Sequence, residues 1–128
     1  QIIDACHQKG IYGDLEEEGG YRAAAEAFRR YPDTTAIFAA NDQTAFGARL
    51  YLYEQGLRVP EDVSLVGFDD IALSAYQIPP LTTVRQPIQD IGIALGRALR
   101  AVLAGEVPTL PRLELRLVER ASVREVRA

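Results

Sequence analysis

Short apolar runs separated by polar residues recur along this chain and predict strands. The runs at 35–40 and 63–68 are flanked by polar or turn-forming residues, as is typical of strands buried on both faces of a parallel sheet. Residues 81–86 are rich in β-branched side chains and are predicted to be extended. Residues 113–118 alternate apolar and charged side chains, which predicts a strand with one solvated face, paired with Ser122–Arg124.

Helical spacing of apolar residues fills the intervals between these strands. A first helix is predicted between the acidic residues 16–18, which suit a helix N-terminus, and Pro32, which ends it. A second is predicted from Asp42 to near Gly56, with its apolar face formed by Phe46, Leu50, Tyr53 and Leu57. A third opens at Pro87 and stops at Gly105, and its apolar face carries Ile88, Ile91, Leu95, Leu99, Val102 and Leu103.

The remaining segments are short or irregular. Residues 1–9 look like a helix that closes at Gly10, and Ile11 and Tyr12 begin a short strand. Residues 71–81 are predicted to be irregular, since the two prolines at 79 and 80 cannot continue a helix. Strands and helices in alternation predict an α/β fold with a doubly wound, mainly parallel sheet, in one domain over residues 1–128.

Composition narrows the class of protein. The chain has 128 residues, a net charge of −4 and no basic cluster longer than Arg29-Arg30, so no nucleic-acid-binding face is expected within it. No apolar run approaches the roughly 20 residues of a membrane span. A single cysteine fits a reducing compartment, hence a cytoplasmic protein. Cys6-His7 has no second ligand pair for a metal, and we interpret it as an ordinary surface or partly buried pair.

Polar pairs follow two of the predicted strands, Asn41-Asp42 and Asp69-Asp70. Ligands bind at the carboxyl edge of open α/β sheets, where both pairs are expected to lie. Carboxylate and amide groups there suit a sugar diol or a purine edge. The alternative is that Asp42 and Asp70 cap helices and Asn41 bonds to nearby backbone. For Asp42 we favour the cap, whereas for Asp69 the two roles are balanced.

Four motifs in register resemble the effector-binding domain of the LacI/GalR family of bacterial transcription regulators. They are AANDQTAFGA at 39–48, GLRVPEDVSLVGFDD at 56–70, PPLTTVRQP at 79–87 and LVERAS at 117–122. The resemblance implies a periplasmic-binding-protein-like fold, present here in part and mostly as its C-terminal subdomain. It also implies a small-molecule effector, a homodimer, and operator DNA bound only through an N-terminal helix-turn-helix domain that this sequence lacks.

The same resemblance places the effector contacts on Asn41, Asp69 and Gln86, where this sequence has the family's residue types. The family often carries an aromatic ring after a Gly-Asp pair, and here Leu15 follows Gly13-Asp14. An apolar wall without a stacking surface disfavours a flat ligand such as a purine, so a carbohydrate is expected. Leu15 as a core or hinge residue, and Gln86 as a structural hydrogen-bonding residue, remain alternatives.

The resemblance further places a subunit interface on the second helix and the following irregular segment. Its apolar members here are Phe46, Leu50, Tyr76 and Ile78. Aromatic side chains are suitable anchors for an interface. The alternative is that Phe46 and Leu50 face their own sheet. No leucine heptad follows Ser122, so no coiled-coil tail is expected.

The expected function is therefore effector sensing and dimerisation by a cytoplasmic LacI-type repressor. Because the sequence opens at Gln1 and shows no helix-turn-helix, we expect it to be part of a longer chain. The alternative is a transport-type periplasmic sugar-binding protein, which shares the architecture. An enzyme using Asp69-Asp70 is disfavoured, since Lys9 is the sole lysine and no Ser/His/Asp set is present. No catalytic residue, metal or cofactor is expected.

Overall fold

A computed structural model describes residues 14–125 of the chain. The elements in chain order are α1 (Glu17–Arg30), β1 (Ala36–Phe38), α2 (Asp42–Glu54), β2 (Ser64–Asp69), a 3-10 helix (Ala72–Tyr76), β3 (Thr82–Arg85), α3 (Ile88–Leu103) and β4 (Arg116–Val118). The predicted helix at 1–9, the strand at Ile11-Tyr12 and the Cys6-His7 pair lie outside the described residues.

The four strands form one sheet in the order β1-β2-β3-β4. β1 pairs with β2, and β2 with β3, in parallel. β4 runs antiparallel to β3. The predicted α/β fold with a mainly parallel sheet is confirmed. Parallel pairing brings the carboxyl ends of β1, β2 and β3 to one edge of the sheet, which we call the carboxyl edge.

The last strand pairs differently from the prediction. β4 covers only part of residues 113–118, and its partner is β3 rather than Ser122–Arg124. Ser122 instead lies between the first residues of β2 and β3. Its carbonyl accepts a hydrogen bond from Leu65 N at 2.8 Å, and its Oγ accepts one from Thr82 N at 2.7 Å. Because Ser122 accepts hydrogen bonds from these two backbone amides, it pairs with β2 and β3 and not with β4.

The cap of α2 is Asn41 rather than the predicted Asp42. The Asn41 side chain accepts a hydrogen bond from Thr44 N, whereas Asp42 is the first helical residue and is completely buried. Both residue types are good caps. The Asp42 carboxylate is engaged by donors from distant parts of the chain, which explains why the neighbouring amide serves the helix end.

The buried face of α2 is not the predicted apolar face. The helix buries Ala45, Ala48 and Leu52, whereas Leu50 and Tyr53 are exposed and Phe46 is half-buried against the core. The reason is close packing, because only small side chains fit where α2 meets α1 and β2. The buried apolar core is correspondingly small, consisting of Ala24, Ala39, Ala45, Ala48, Leu52, Val63, Leu65 and Leu81.

Two further segments complete the fold. The segment 71–81, predicted to be irregular, contains the 3-10 helix, in which Ser74 is buried and Ser74 N donates to Ile71 O at 2.9 Å. α3 begins after Pro87 as predicted, and Gly105 follows its end with a positive φ of 76°. Within residues 14–125, none of the side chains of α3 is buried, including those of its predicted apolar face.

Two glycines allow the helices α1 and α2 to cross closely. A Cβ atom added to Gly47 of α2 would lie 1.7 Å from the carbonyl oxygen of Glu17 in α1. A Cβ atom on Gly20 of α1 would lie 2.0 Å from the carbonyl oxygen of Thr44. Real atoms cannot approach backbone so closely, so either substitution must push the helices apart.

We therefore predict that Gly47→Ala destabilises the protein by about 2 to 3 kcal/mol, as overpacking does. The matched control is Gly92→Ala in α3, where an added Cβ meets nothing within 4 Å. That control should be neutral or should stabilise by up to about 1 kcal/mol through helix propensity. Urea denaturation of both variants measures the difference, and equal effects would contradict the close crossing.

Candidate functional site

Three of the predicted ligand-binding residues lie at the carboxyl edge of the sheet. Asn41 follows β1, Asp69 is the last residue of β2, and Gln86 directly follows β3. β1, β2 and β3 are consecutive neighbours. The parallel pairing therefore brings these polar residues to one side of the sheet, at the position where α/β proteins hold small ligands.

Asp69 and Gln86 are in direct contact. Gln86 Nε2 donates a hydrogen bond to Asp69 Oδ1 at 2.5 Å, and both residues are half-buried. The bond fixes the orientation of the Gln86 amide and leaves its carbonyl oxygen as an acceptor. Asp69 Oδ2 accepts no hydrogen bond from residues 14–125, so this oxygen can accept a hydrogen bond from a ligand. Asp69 and Gln86 therefore bond to each other, and each keeps one oxygen that can accept a hydrogen bond from a ligand.

Asn41 and Leu15 form a second pair. Asn41 Nδ2 donates to the Leu15 carbonyl at 2.8 Å while Asn41 Oδ1 caps α2 through Thr44 N, also at 2.8 Å. The local bonding considered as an alternative for Asn41 is therefore present. The amide nitrogen keeps its second hydrogen for another acceptor. Leu15 has a positive φ of 62° and an exposed side chain, so it is not a core residue.

Asp70 is a structural partner rather than a helix cap. Its carboxylate is 4% exposed and forms ion pairs with Arg120 Nη2 at 2.6 Å and Arg85 Nε at 2.5 Å. Burial alone would raise the pKa of the Asp70 carboxyl, but the hydrogen bonds from Arg120 and Arg85 outweigh burial and hold this pKa below 3.8. The two adjacent aspartates consequently have different environments, with Asp70 neutralised by arginines and Asp69 available.

A buried hydrogen-bond network under the carboxyl edge was not foreseen from the sequence. Asp42 accepts hydrogen bonds from Ser74 Oγ at 2.5 Å, Thr83 Oγ1 at 2.6 Å and Ile71 N at 2.9 Å. The signal that could have suggested it is Thr83 in a buried strand, since a buried hydroxyl requires a partner. Nothing in the sequence identifies that partner as Asp42.

The residues predicted for the subunit interface are mostly solvent-exposed. Tyr76 is 80% exposed, Ile78 is 89% exposed and Leu50 is also exposed, whereas Phe46 is half-buried. Arg49 links α2 to the segment after the 3-10 helix, because its Nη1 donates to the Pro79 carbonyl at 3.0 Å. We call the exposed side chains of Leu50, Tyr76 and Ile78 the Tyr76 surface.

Residues 14–125 contain no group of three or more His, Cys, Asp or Glu side chains that could hold a metal ion. Over the same residues, no helix has the length and apolar character needed to cross a membrane.

Comparison with known proteins agrees with this fold. Residues 2–123 match the model of the periplasmic binding protein-like domain. The transcriptional repressor PurR of Escherichia coli O1:K1 is 40% identical over 115 residues, which are 88% of this chain and 34% of PurR. The chain thus spans about a third of the length of the curated relatives it matches.

Solved structures give the same result. The transcriptional regulator CelR in complex with cellobiose matches with a TM-score of 0.79 and 39% identity, over 87% of this chain and 35% of CelR. The Lac repressor dimer bound to operator and the anti-inducer ONPF matches with a TM-score of 0.75 and 34% identity, over 87% of this chain and 39% of the repressor.

The fold and the matched residues define a small-molecule-binding domain, and the chain belongs to the periplasmic binding protein-like domain family. Within that family it belongs with the effector-binding domains of the LacI/GalR transcription regulators, as its motifs predicted. The relatives it matches are transcriptional repressors and regulators.

We predict that Asp70→Asn destabilises the protein by about 3 kcal/mol at pH 7, because it leaves the largely buried Arg120 without its anionic partner. The pKa of Asp70 is lowered by folding, so its stabilisation is present above about pH 4 and is lost as pH falls through the lower folded value. Urea denaturation from pH 7 to pH 3 should show the wild-type and variant stabilities converging. A difference independent of pH would contradict the ion pair.

Proposed function

We propose that this chain is the effector-sensing and dimerisation region of a LacI-type bacterial transcription repressor, and that its effector is a sugar. The observation that carries the proposal is the placement of Asn41, Asp69 and Gln86 at the carboxyl ends of three neighbouring parallel strands. Operator binding would come from a helix-turn-helix domain outside this sequence, and the second wall of the cleft from an N-terminal subdomain. The protein would act in the cytoplasm, where its operator lies.

A sugar suits the chemistry of this edge. The free Asp69 Oδ2 can accept hydrogen bonds from adjacent hydroxyls, and the Gln86 carbonyl oxygen offers a further acceptor. Leu15 presents an exposed aliphatic side chain, which can contact a sugar ring but cannot stack on a flat heterocycle as an aromatic ring does. The similarity to CelR, which was solved with cellobiose, points the same way.

The proposed mechanism is a shift in population rather than catalysis. An effector that binds the closed cleft better than the open one favours the closed state by that difference in affinity. The change in subunit geometry then alters operator binding. An enzymatic role has less support, because Asp70 is neutralised by two arginines and the relatives are repressors.

The second candidate is a transport-type sugar-binding protein, which the match to a periplasmic binding protein-like domain also allows. Operator binding separates the two candidates. A regulator should bind DNA with an affinity that the sugar changes, whereas a transport protein should bind the sugar and have no specific DNA target.

We predict that Asp69→Ala in the full regulator weakens sugar binding about 100-fold, since each hydrogen bond to a charged group contributes about 1.5 to 3 kcal/mol. The matched control is Asp33→Ala, because Asp33 is an exposed carboxylate in the turn before β1 at the opposite edge of the sheet. Calorimetric titration with cellobiose, lactose, ribose and a purine base measures the affinities.

The dimer should persist in the Asp69→Ala variant, because Asp69 is not a residue of the Tyr76 surface. Unchanged affinity of Asp69→Ala for the tightest-binding sugar would refute the site. Tighter binding of the purine base than of any sugar would refute the proposed effector class.

We further propose that the Tyr76 surface is the subunit interface. Leu50, Tyr76 and Ile78 are large apolar side chains that are exposed, and contiguous exposed apolar patches mark interaction surfaces. Tyr76 and Ile78 are two residues apart, and Arg49, the neighbour of Leu50, bonds to the Pro79 carbonyl that follows Ile78. The two elements that carry these side chains are linked, since Arg49 of α2 donates hydrogen bonds to Gln77 and Pro79 on either side of Ile78.

We predict that Ile78→Asp raises the dimer dissociation constant by about 30-fold or more, the effect of losing a residue that contributes about 2 kcal/mol. The matched control is Val107→Asp, at a site 94% exposed and outside the Tyr76 surface. Sedimentation velocity over a concentration series measures both variants. A wild-type protein that stays monomeric at every concentration, or two variants that weaken the dimer equally, would contradict the interface.

A further inference from the structure

Asp42 is the one charged residue among the buried residues of 14–125. Its carboxylate has no ion-pair partner among them and is stabilised instead by the hydrogen bonds from Ile71 N, Ser74 Oγ and Thr83 Oγ1. Burying a charge in this way is costly unless every acceptor position is satisfied. The start of α2, where Asp42 lies, adds the favourable field of a helix N-terminus.

A carboxylate suits these surroundings, because it accepts at both of its oxygens. Ile71 N can only donate, and the hydroxyls of Ser74 and Thr83 are placed to donate to Asp42 as well. An amide of equal size would present its NH₂ group to at least one of these donors. The fit is also close, because a Cβ atom added to Gly67 of β2 would lie 2.2 Å from Asp42 Oδ1.

One arm of this network supports the turn that carries Asp69. Asp69 and Asp70 have positive φ values of 106° and 54°, a conformation that costs residues with a side chain about 1 to 3 kcal/mol each. Such a turn is stable only where hydrogen bonds and packing from its surroundings fix the backbone. Asp42 binds the amide of Ile71 on one side, and Thr83 Oγ1, itself bonded to Asp42, accepts from Asp70 N at 3.3 Å.

The other arm supports the Tyr76 surface. Ser74, which is completely buried, lies in the middle of the 3-10 helix and donates to Asp42 Oδ2. Tyr76 ends that helix and Ile78 follows it, so Ser74 anchors the element that presents both side chains. A single carboxylate therefore contacts the supports of both the ligand edge and the proposed subunit interface.

We propose that Asp42 is a positioning residue that couples effector binding to dimerisation, by holding the Asp69–Asp70 turn through Thr83 and the 3-10 helix through Ser74. Asp42 touches neither the effector nor the partner subunit. A change in the turn on ligand binding alters the hydrogen bonds to Asp42, and these fix the 3-10 helix at the interface. The inference rests on the proposed function and adds the residue that links its two sites.

The test uses the full regulator and the tightest-binding sugar of the panel, with the dimer dissociation constant measured without and with that sugar at saturation. Wild type should show a change of about tenfold, the size of a typical coupling between sites. Asp42→Asn should bring this ratio close to 1. It should also speed amide exchange at Asp70 and Ile71, while the amide of Leu65, which bonds to Ser122, stays protected.

The two arms can be cut separately with milder substitutions. Thr83→Val removes the hydroxyl with little change of shape, and it should weaken sugar binding about tenfold while leaving the sugar-free dimer constant unchanged. Ser74→Ala should weaken the sugar-free dimer about tenfold while leaving the sugar affinity of the monomer unchanged. These variants keep the inference testable if Asp42→Asn does not fold.

The outcomes separate this inference from the proposed function. Wild type that binds no sugar of the panel, or forms no dimer, overturns the proposed function and the inference with it. Wild type that does both, with a dimer constant independent of sugar or with the wild-type ratio retained in Asp42→Asn, overturns the inference alone. A purely structural role for the network is shown if Thr83→Val and Ser74→Ala each weaken both equilibria equally.

Discussion

The arrangement of the described chain depends on the need to satisfy one buried carboxylate. Asp42 is the first residue of α2 and lies against the backbone of β2. It accepts hydrogen bonds from Thr83 of β3, from Ser74 of the 3-10 helix and from the amide of Ile71 just before that helix. An unsatisfied charge at this position would be strongly destabilising. The requirement therefore fixes how the loop after β2 folds back over the sheet, and with it the orientation of the carboxyl edge.

Three aspartates near this edge illustrate how environment assigns roles to identical side chains. Asp42 is buried and receives hydrogen bonds from neutral donors, and Asp70 is largely buried between two arginines. Asp69 alone keeps a carboxylate oxygen that no residue of 14–125 engages. The first two bond to the turn and the sheet, and the third keeps an oxygen for the ligand that we propose. A site of this kind needs rigid support, because a small error in position weakens every hydrogen bond made to the ligand.

Much of this arrangement could be predicted from the sequence, for definite reasons. The strands at 64–69 and 82–85 and the polar residues after them follow from local apolar patterns, and parallel pairing then puts their ends together. The cap of α2 was misassigned because Asn41 and Asp42 are equally good caps, and the donors to Asp42 lie 29 to 41 residues away. The apolar face of α2 did not identify its buried face, because the glycine crossing with α1, which only the tertiary structure shows, favours alanines over larger apolar residues. Local pattern cannot report such long-range packing.

The central claim is that the carboxyl edge of the sheet binds a sugar, and a crystal structure of the full regulator with the tightest-binding sugar of the panel tests it most directly. The account predicts sugar hydroxyls within hydrogen-bond distance of the Asp69 carboxylate, with Gln86 and Asn41 beside the same ring and Leu15 against its face. A sugar bound elsewhere, with Asp69 still bonded only to Gln86 as it is here, would contradict the account.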